Sequence, residues 1–160
     1  MSDSGPRRER PMGLYFDEIA GDHRFTSAGR TITEADVTGF AELTGDFTAF
    51  HLDEDYAKQT MFGRRIAHGA LVFSISLGLS TRLHLTDDTL LALAGVDRLR
   101  FVQPVFIGDT VQVAKRVIER REIDEARGAI IFESKVTNQD GRTVLIYHDK
   151  LLFKRVPPAQ

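Results

Sequence analysis

Apolar positions along this chain follow two periods, and the change from one to the other falls near residue 84. In the first half, Val37, Phe40, Ala41 and Thr44 recur at the three-to-four spacing of a helix face. Thr33 precedes them as a good N-cap, and Gly45 follows as a stop. Upstream, Arg24 to Thr31 reads as a short extended segment. A second short helix is predicted from Asp53, where Glu54 and Asp55 sit favourably against the positive end of the helix dipole. From His68 to Leu83, "HGALVFSISLGLSTRL", Leu71, Val72, Phe73, Ile75, Leu77 and Leu79 occupy most of the circumference. A helix apolar nearly all round is a buried one, so this segment predicts the central helix.

The second half alternates. Leu90 to Val102, Thr110 to Glu122, Gly128 to Asn138 and Arg142 to Phe153 are long, rich in β-branched residues and separated by turn signals. In the third, Ile130, Phe132 and Val136 share one face while Glu133, Lys135 and Thr137 share the other. Gly108-Asp109 and Asp140-Gly141 read as tight turns, and Pro104 suits a strand end. The expectation is an α+β fold, an antiparallel sheet of about five strands curled around one long helix. A single domain over 13–156 is expected, with 1–12 as a disordered tail.

Composition narrows the setting. A chain of 160 residues with 42% hydrophobic and 28% charged residues has the make-up of a globular domain, not of a disordered or collagen-like chain. The net charge of −2 argues against nucleic acid as the main partner. With no cysteine, disulfides, thiolate metal sites and cysteine nucleophiles are excluded, which suits a reducing, cytoplasmic location. No segment reaches the ~18 apolar residues of a membrane span, so no membrane association is expected. His23, His84 and His148 share no ligand spacing, and no metal site is expected.

Candidate chemistry sits in "GDFTAFHLDEDYA", Gly45 to Ala57, which is too apolar for an ordinary surface turn. Asp46 and His51 can share a water or a proton, as general acid/base work requires. Read blandly, Asp46 is a turn residue and His51 a buried hydrogen-bonding group. Asp53 either orients the imidazole or caps the following helix. A second stretch, "GRRIAHGALVFS", raises the functional reading, because Gly69 opens the central helix where unpaired N–H groups favour an oxyanion. Ser74 and Ser76 can reach a carboxylate or bond only their own helix. The charge run "KRVIERREIDEAR" reads as two solvated strand ends and their turn.

Together, "LTGDFTAFHLDEDYA" and "FGRRIAHGALVFSISLGL" resemble the signature of the MaoC-like, R-specific enoyl-CoA hydratase family, roughly GD-x-N-P-x-H-x-D followed by a helix opening with I-x-HG. "LRFVQPVFIGDTVQV" resembles the strand, proline and G-D turn that follow in such hot-dog proteins. The resemblance implies a hot-dog fold, a homodimer or a multiple of it, and an acyl-CoA thioester substrate with no metal or redox cofactor. It implies Asp46 and His51 as the pair that handles water in reversible syn hydration of a 2-enoyl-CoA, with Gly69 polarising the thioester carbonyl. Thr48, Phe50, Arg65 and His68 are expected to bind substrate; Arg64 and Arg65 either reach a coenzyme A phosphate or form an exposed basic loop. Thr48-Ala49 stands where the family commonly has Asn-Pro, which changes the hydrogen bonds and stiffness of the loop. A hot-dog thioesterase and a non-catalytic acyl-thioester-binding subunit are the alternatives.

Overall fold

The computed structural model describes residues 12–158, and the rest of the expected tail lies outside the described residues. Four long strands follow the alternating half of the sequence: β3 (Leu90–Phe101), β4 (Thr110–Glu122), β5 (Arg127–Thr137) and β6 (Thr143–Lys154). They pair antiparallel in the order β4-β5-β6-β3. The extended segment near residue 24 divides into β1 (Arg24–Thr26) and β2 (Arg30–Thr31), both laid against β4.

The helices of the first half start and stop where capping chemistry allows. In α1 (Glu34–Thr44), Thr33 and Asp36 cap each other reciprocally at 3.1 and 2.8 Å. Gly45 closes the helix in the left-handed region, φ 77°, which costs a side-chain-free residue nothing. The loop-like stretch after it contains an unexpected single turn, α2 (Ala49–Leu52). Asp53 then caps α3 (Glu54–Lys58) by accepting from the Asp55 and Tyr56 N–H groups.

The long helix α4 (Gly69–Thr81) lies on the inner face of the sheet, with Leu71, Val72 and Leu79 packed among Val111, Val113, Val136 and Leu145. It is less enclosed than its apolar circumference predicts. Phe73, Ile75 and Leu77 are half-buried and Ser74 and Gly78 exposed, because one sheet covers one side of a helix and leaves the other open. Among the described residues, no helix is long and apolar enough to cross a membrane.

The inner face departs from the sequence reading at one place. Lys115 belongs to the run read as solvated, yet the period of two that turns Val111, Val113 and Val117 inward turns Lys115 inward as well. Its side chain is 3% exposed and that of Asp149 on β6 1% exposed, with Nζ and Oδ2 2.6 Å apart. Ser134 on β5 accepts from Lys115 at 2.7 Å and donates to Asp149 at 2.6 Å. Burial pushes the Lys115 amine below its usual range, and the Asp149 carboxylate opposes that shift. Removing one charge of such a pair strands the other, so Lys115→Met is expected to cost about 3–5 kcal/mol in urea unfolding. Converting both, Lys115→Met with Asp149→Leu, should recover most of that loss.

Candidate active site

One cavity, about 550 Å³, opens at the N-terminal end of α4. His51, Phe50 and Phe62 form one side, Gly69, Ala70 and Val72 of α4 another, and Phe101, Val105 and Leu145 the sheet side. His51 is 6% exposed and is held by a 2.7 Å bond from Nδ1 to the Ile66 carbonyl. A carbonyl only accepts, so Nδ1 carries the proton and Nε2 presents a lone pair. The carbonyl is fixed in turn. Residues 66 and 67 are tied to the connection after β3 by a bridge from Ile66 to Phe106 and by Ala67 N–H donating to the Val105 carbonyl at 2.7 Å.

Asp46 is exposed and does not line the cavity. Its Oδ1 accepts from the Thr48 hydroxyl at 2.6 Å and the Thr48 N–H at 3.2 Å, and these bonds hold the carboxyl below its ordinary value. Thr48 therefore acts on Asp46 and is not part of the cavity wall. The nitrogen or carboxylate atoms of Asp46, His51 and His68 fall within 4.8 Å of one another, a separation one water can bridge.

His68 is 2% exposed and likewise absent from the cavity wall. Its ring stacks on His51 at 3.7 Å, with the planes 27° apart. Nε2 donates to the Asp46 carbonyl at 3.0 Å, while Nδ1 is buried with no partner among the described residues. One side chain thus supports the His51 ring and fixes the Asp46 backbone. The stack also tells against metal ligation. Imidazole lone pairs lie in the ring plane, and two nearly parallel planes held face to face do not meet at a shared ion.

Arg65 is committed elsewhere. Its guanidinium forks onto Glu34 at 2.8 and 2.5 Å and reaches Glu54 at 3.3 Å, clasping α1 to α3 at a distance from the cavity wall. Arg64 stacks over the Phe106 ring at 3.7 Å. Asp53 serves as a cap, and Ser74 and Ser76 each donate to a carbonyl of their own helix.

Gly69 lies in the cavity wall at the start of α4, where helix geometry leaves the first N–H groups without an intrahelical partner and no side chain caps them. An added Cβ would stand 2.7 Å from the Phe101 ring, which would have to move aside. Phe101, Val105 and Leu145 come from the sheet half of the chain, and no local pattern pointed to them. Chemically, the arrangement offers an imidazole lone pair and N–H donors in one cavity wall, with a carboxylate close to the imidazole.

Comparison with known proteins gives the site a family context. The model of the MaoC like domain family matches residues 16–138. "Protein MaoC" of Klebsiella aerogenes is 35% identical over 76% of this chain and 36% of its own length. A "3-hydroxybutyryl-CoA dehydratase" of Methylorubrum extorquens is 43% identical over 66% of this chain and 65% of its own. An "(R)-specific enoyl-CoA hydratase" of Rhodospirillum rubrum is 35% identical over 77% and 89%. The chain thus spans about a third of the first relative and just under two thirds of the second. Among solved structures, a monoamine oxidase regulatory protein from Archaeoglobus fulgius superposes with a TM-score of 0.85 at 37% identity, covering 91% of this chain and 97% of that one. A Mycobacterium tuberculosis protein described as a double hotdog fold superposes at 0.81 and 22% identity, over 93% of this chain and 46% of its own. The architecture is the hot-dog fold.

Burial lowers the pKa of His51 below its ordinary 6.5, outweighing the Ile66 bond, and His68 adds to the lowering. As pH falls, the unfolded chain takes up the proton near 6.5, before the folded chain does. The His51 contribution to stability is therefore full above 6.5 and is lost as pH falls through the lower folded value. Titration of the His51 ring protons by NMR should give a midpoint below 6.5. A midpoint above it contradicts the burial argument.

Proposed function

This chain belongs to the MaoC-like domain family, and we propose that it is an (R)-specific enoyl-CoA hydratase acting reversibly on 2-enoyl-CoA thioesters without a metal or redox cofactor. The observation that carries the reading is the placement of His51, with its Nε2 lone pair, and the Gly69 N–H in the wall of one cavity, the Asp46 carboxylate lying close to the imidazole outside that wall. Relatives named as a hydratase and a dehydratase support the same reaction class.

The two acid/base groups have unequal environments, and this assigns their roles. Asp46, stabilised as an anion by Thr48, is a poor base and orients the water by accepting one hydrogen. His51, unprotonated at neutral pH, takes the other proton as the oxygen attacks Cβ. Electrons move through Cα onto the thioester oxygen, where the Gly69 N–H meets the developing charge, a contribution of about 3 kcal/mol per donor. The proton on His51 then passes to Cα on the same face. One water oxygen and one hydrogen end on Cβ and the second hydrogen on Cα, a net syn addition.

Residues acting as one unit lose function non-additively. Asp46→Asn and His51→Ala should each lower turnover on a trans-2-enoyl-CoA by ~100 to 10,000-fold, and the double variant by little more, with acyl-CoA affinity largely kept. Chiral analysis of the wild-type product should give the (3R)-hydroxyacyl thioester. A folded His51→Ala protein with near wild-type hydration would sink the mechanism, and release of free thiol in place of enoyl loss would assign a thioesterase.

The edge of the sheet bears on assembly. Among the described residues β3 has a partner on one side only, and Leu91, Leu93, Phe101 and Val102 are exposed along and just after it. A second copy pairing there would cover both, the usual way an edge strand is protected. We therefore expect a homodimer. Light scattering that finds a stable monomer at micromolar concentration contradicts it.

A further inference from the structure

The lone pair at His51 Nε2 exists because the Ile66 carbonyl accepts from Nδ1 at 2.7 Å, so whatever holds residue 66 in place also sets the state of the imidazole. Two restraints act there. From the sheet side come the Ala67 N–H bond to the Val105 carbonyl and the bridge from Ile66 to Phe106. From the helical side, the Ile66 N–H donates to the Phe50 carbonyl at 3.3 Å, and the neighbouring Arg65 side chain reaches across the same turn.

Arg65 has the geometry for that second restraint. Its Nη1 and Nη2 fork onto Glu34 at 2.8 and 2.5 Å, Nε reaches Glu54 at 3.3 Å, and Nη1 comes within 3.5 Å of the Leu52 carbonyl, one residue past His51. Glu34 opens α1, the helix that runs into Gly45 and Asp46, and Glu54 opens α3, which follows directly on the turn that carries His51. One guanidinium thus touches the elements on both sides of the acid/base pair. An isolated exposed ion pair contributes little to stability, but this arginine side chain is only 19% exposed, and a planar fork fixes direction as well as distance. A lysine, as a point charge, could not meet these partners at once.

We propose that Arg65 is a positioning residue for the acid/base pair and binds no substrate itself. Its clasp holds residues 65 and 66 against the His51 turn, keeps the Ile66 carbonyl opposite Nδ1, and so leaves the lone pair on Nε2. With the clasp released, the carbonyl drifts and the proton distributes between the two ring nitrogens. The fraction with a bare Nε2 falls. The proposal rests on the hydratase reading for its reaction, but not for its effect on the imidazole.

Nitrogen NMR of the imidazole at neutral pH, assigned against His51→Ala, reads the tautomer directly, and turnover on trans-2-butenoyl-CoA reads its consequence. In the wild type, His51 should show Nδ1 protonated and Nε2 bare. Arg65→Met should turn this into a mixture of tautomers and lower kcat by ~10 to 100-fold, with KM changed by less than about twofold. Arg65→Lys should fall between the two proteins in both readouts, and Lys58→Met, which removes an exposed cation from α3, should change neither. A folded Arg65→Met that keeps the wild-type tautomer overturns the proposal even if its melting temperature or turnover falls, because the arginine is then a clasp alone. A mixed tautomer with unchanged kcat overturns it too, and a rise in KM alone makes Arg65 a substrate contact instead. Should Arg65→Met not fold, Glu34→Gln takes its place on the same two readouts. If the wild type hydrates no enoyl-CoA, the hydratase reading fails by itself, and the tautomer in Arg65→Met still decides whether the arginine fixes the imidazole.

Discussion

The buried pair of Lys115 and Asp149 constrains everything built on the inner face of the sheet. It lies between two apolar clusters, one around α4 with Val113, Val136 and Leu145, the other around Phe16 with Val117, Phe132 and Leu151. With Ser134 it joins β4, β5 and β6 by three short bonds. A slip of one residue in β4 or β6 would turn a charge outward and strand its partner inside, an error far costlier than a misplaced methyl group. Register is thereby specified. Tyr147 and Leu145, two and four residues before Asp149, are set in their places between helix and sheet.

The cavity that holds His51 depends on a different chain of contacts. His51 has the useful tautomer because the Ile66 carbonyl faces Nδ1. That carbonyl is positioned because residues 66 and 67 are tied to the backbone at Val105 and Phe106, which follows β3. The state of one imidazole nitrogen thus rests on a backbone bridge between the helical and sheet halves. His68, lying between Phe40 and His51, adds a stacked support and a bond to the Asp46 carbonyl.

Environment separates Asp46 and His51, the two groups proposed to handle water. Asp46 is wet and hydrogen-bonded as an anion, while His51 is buried and disfavours its charged form. Both pKa values are lowered, and for opposite physical reasons. The Thr48 hydroxyl, standing where the family commonly has an asparagine amide, holds the carboxylate directly at 2.6 Å.

What the amino-acid sequence determined by itself was everything governed by local period and backbone chemistry. The four long strands, the caps at Thr33 and Asp53, the stop at Gly45 and the start of α4 all follow from residues a few positions apart. The closeness of Asp46 and His51 was legible for the same reason, since one loop carries both. Only the tertiary structure decided what lies across the sheet. Charge alone marked Lys115 as a surface residue, and its burial became visible once a partner 34 positions away shared its face. Arg65 read as either a phosphate ligand or part of an exposed basic loop, and only the fold showed Glu34 and Glu54 holding it; His68 read as a helix-start or packing residue or as a substrate contact, and only the fold showed its ring stacked on His51. Phe101 and Leu145 carried no local signal, because a side chain that shapes a cavity is recognised by what stands opposite it, and only the folded chain brings the opposing residues together.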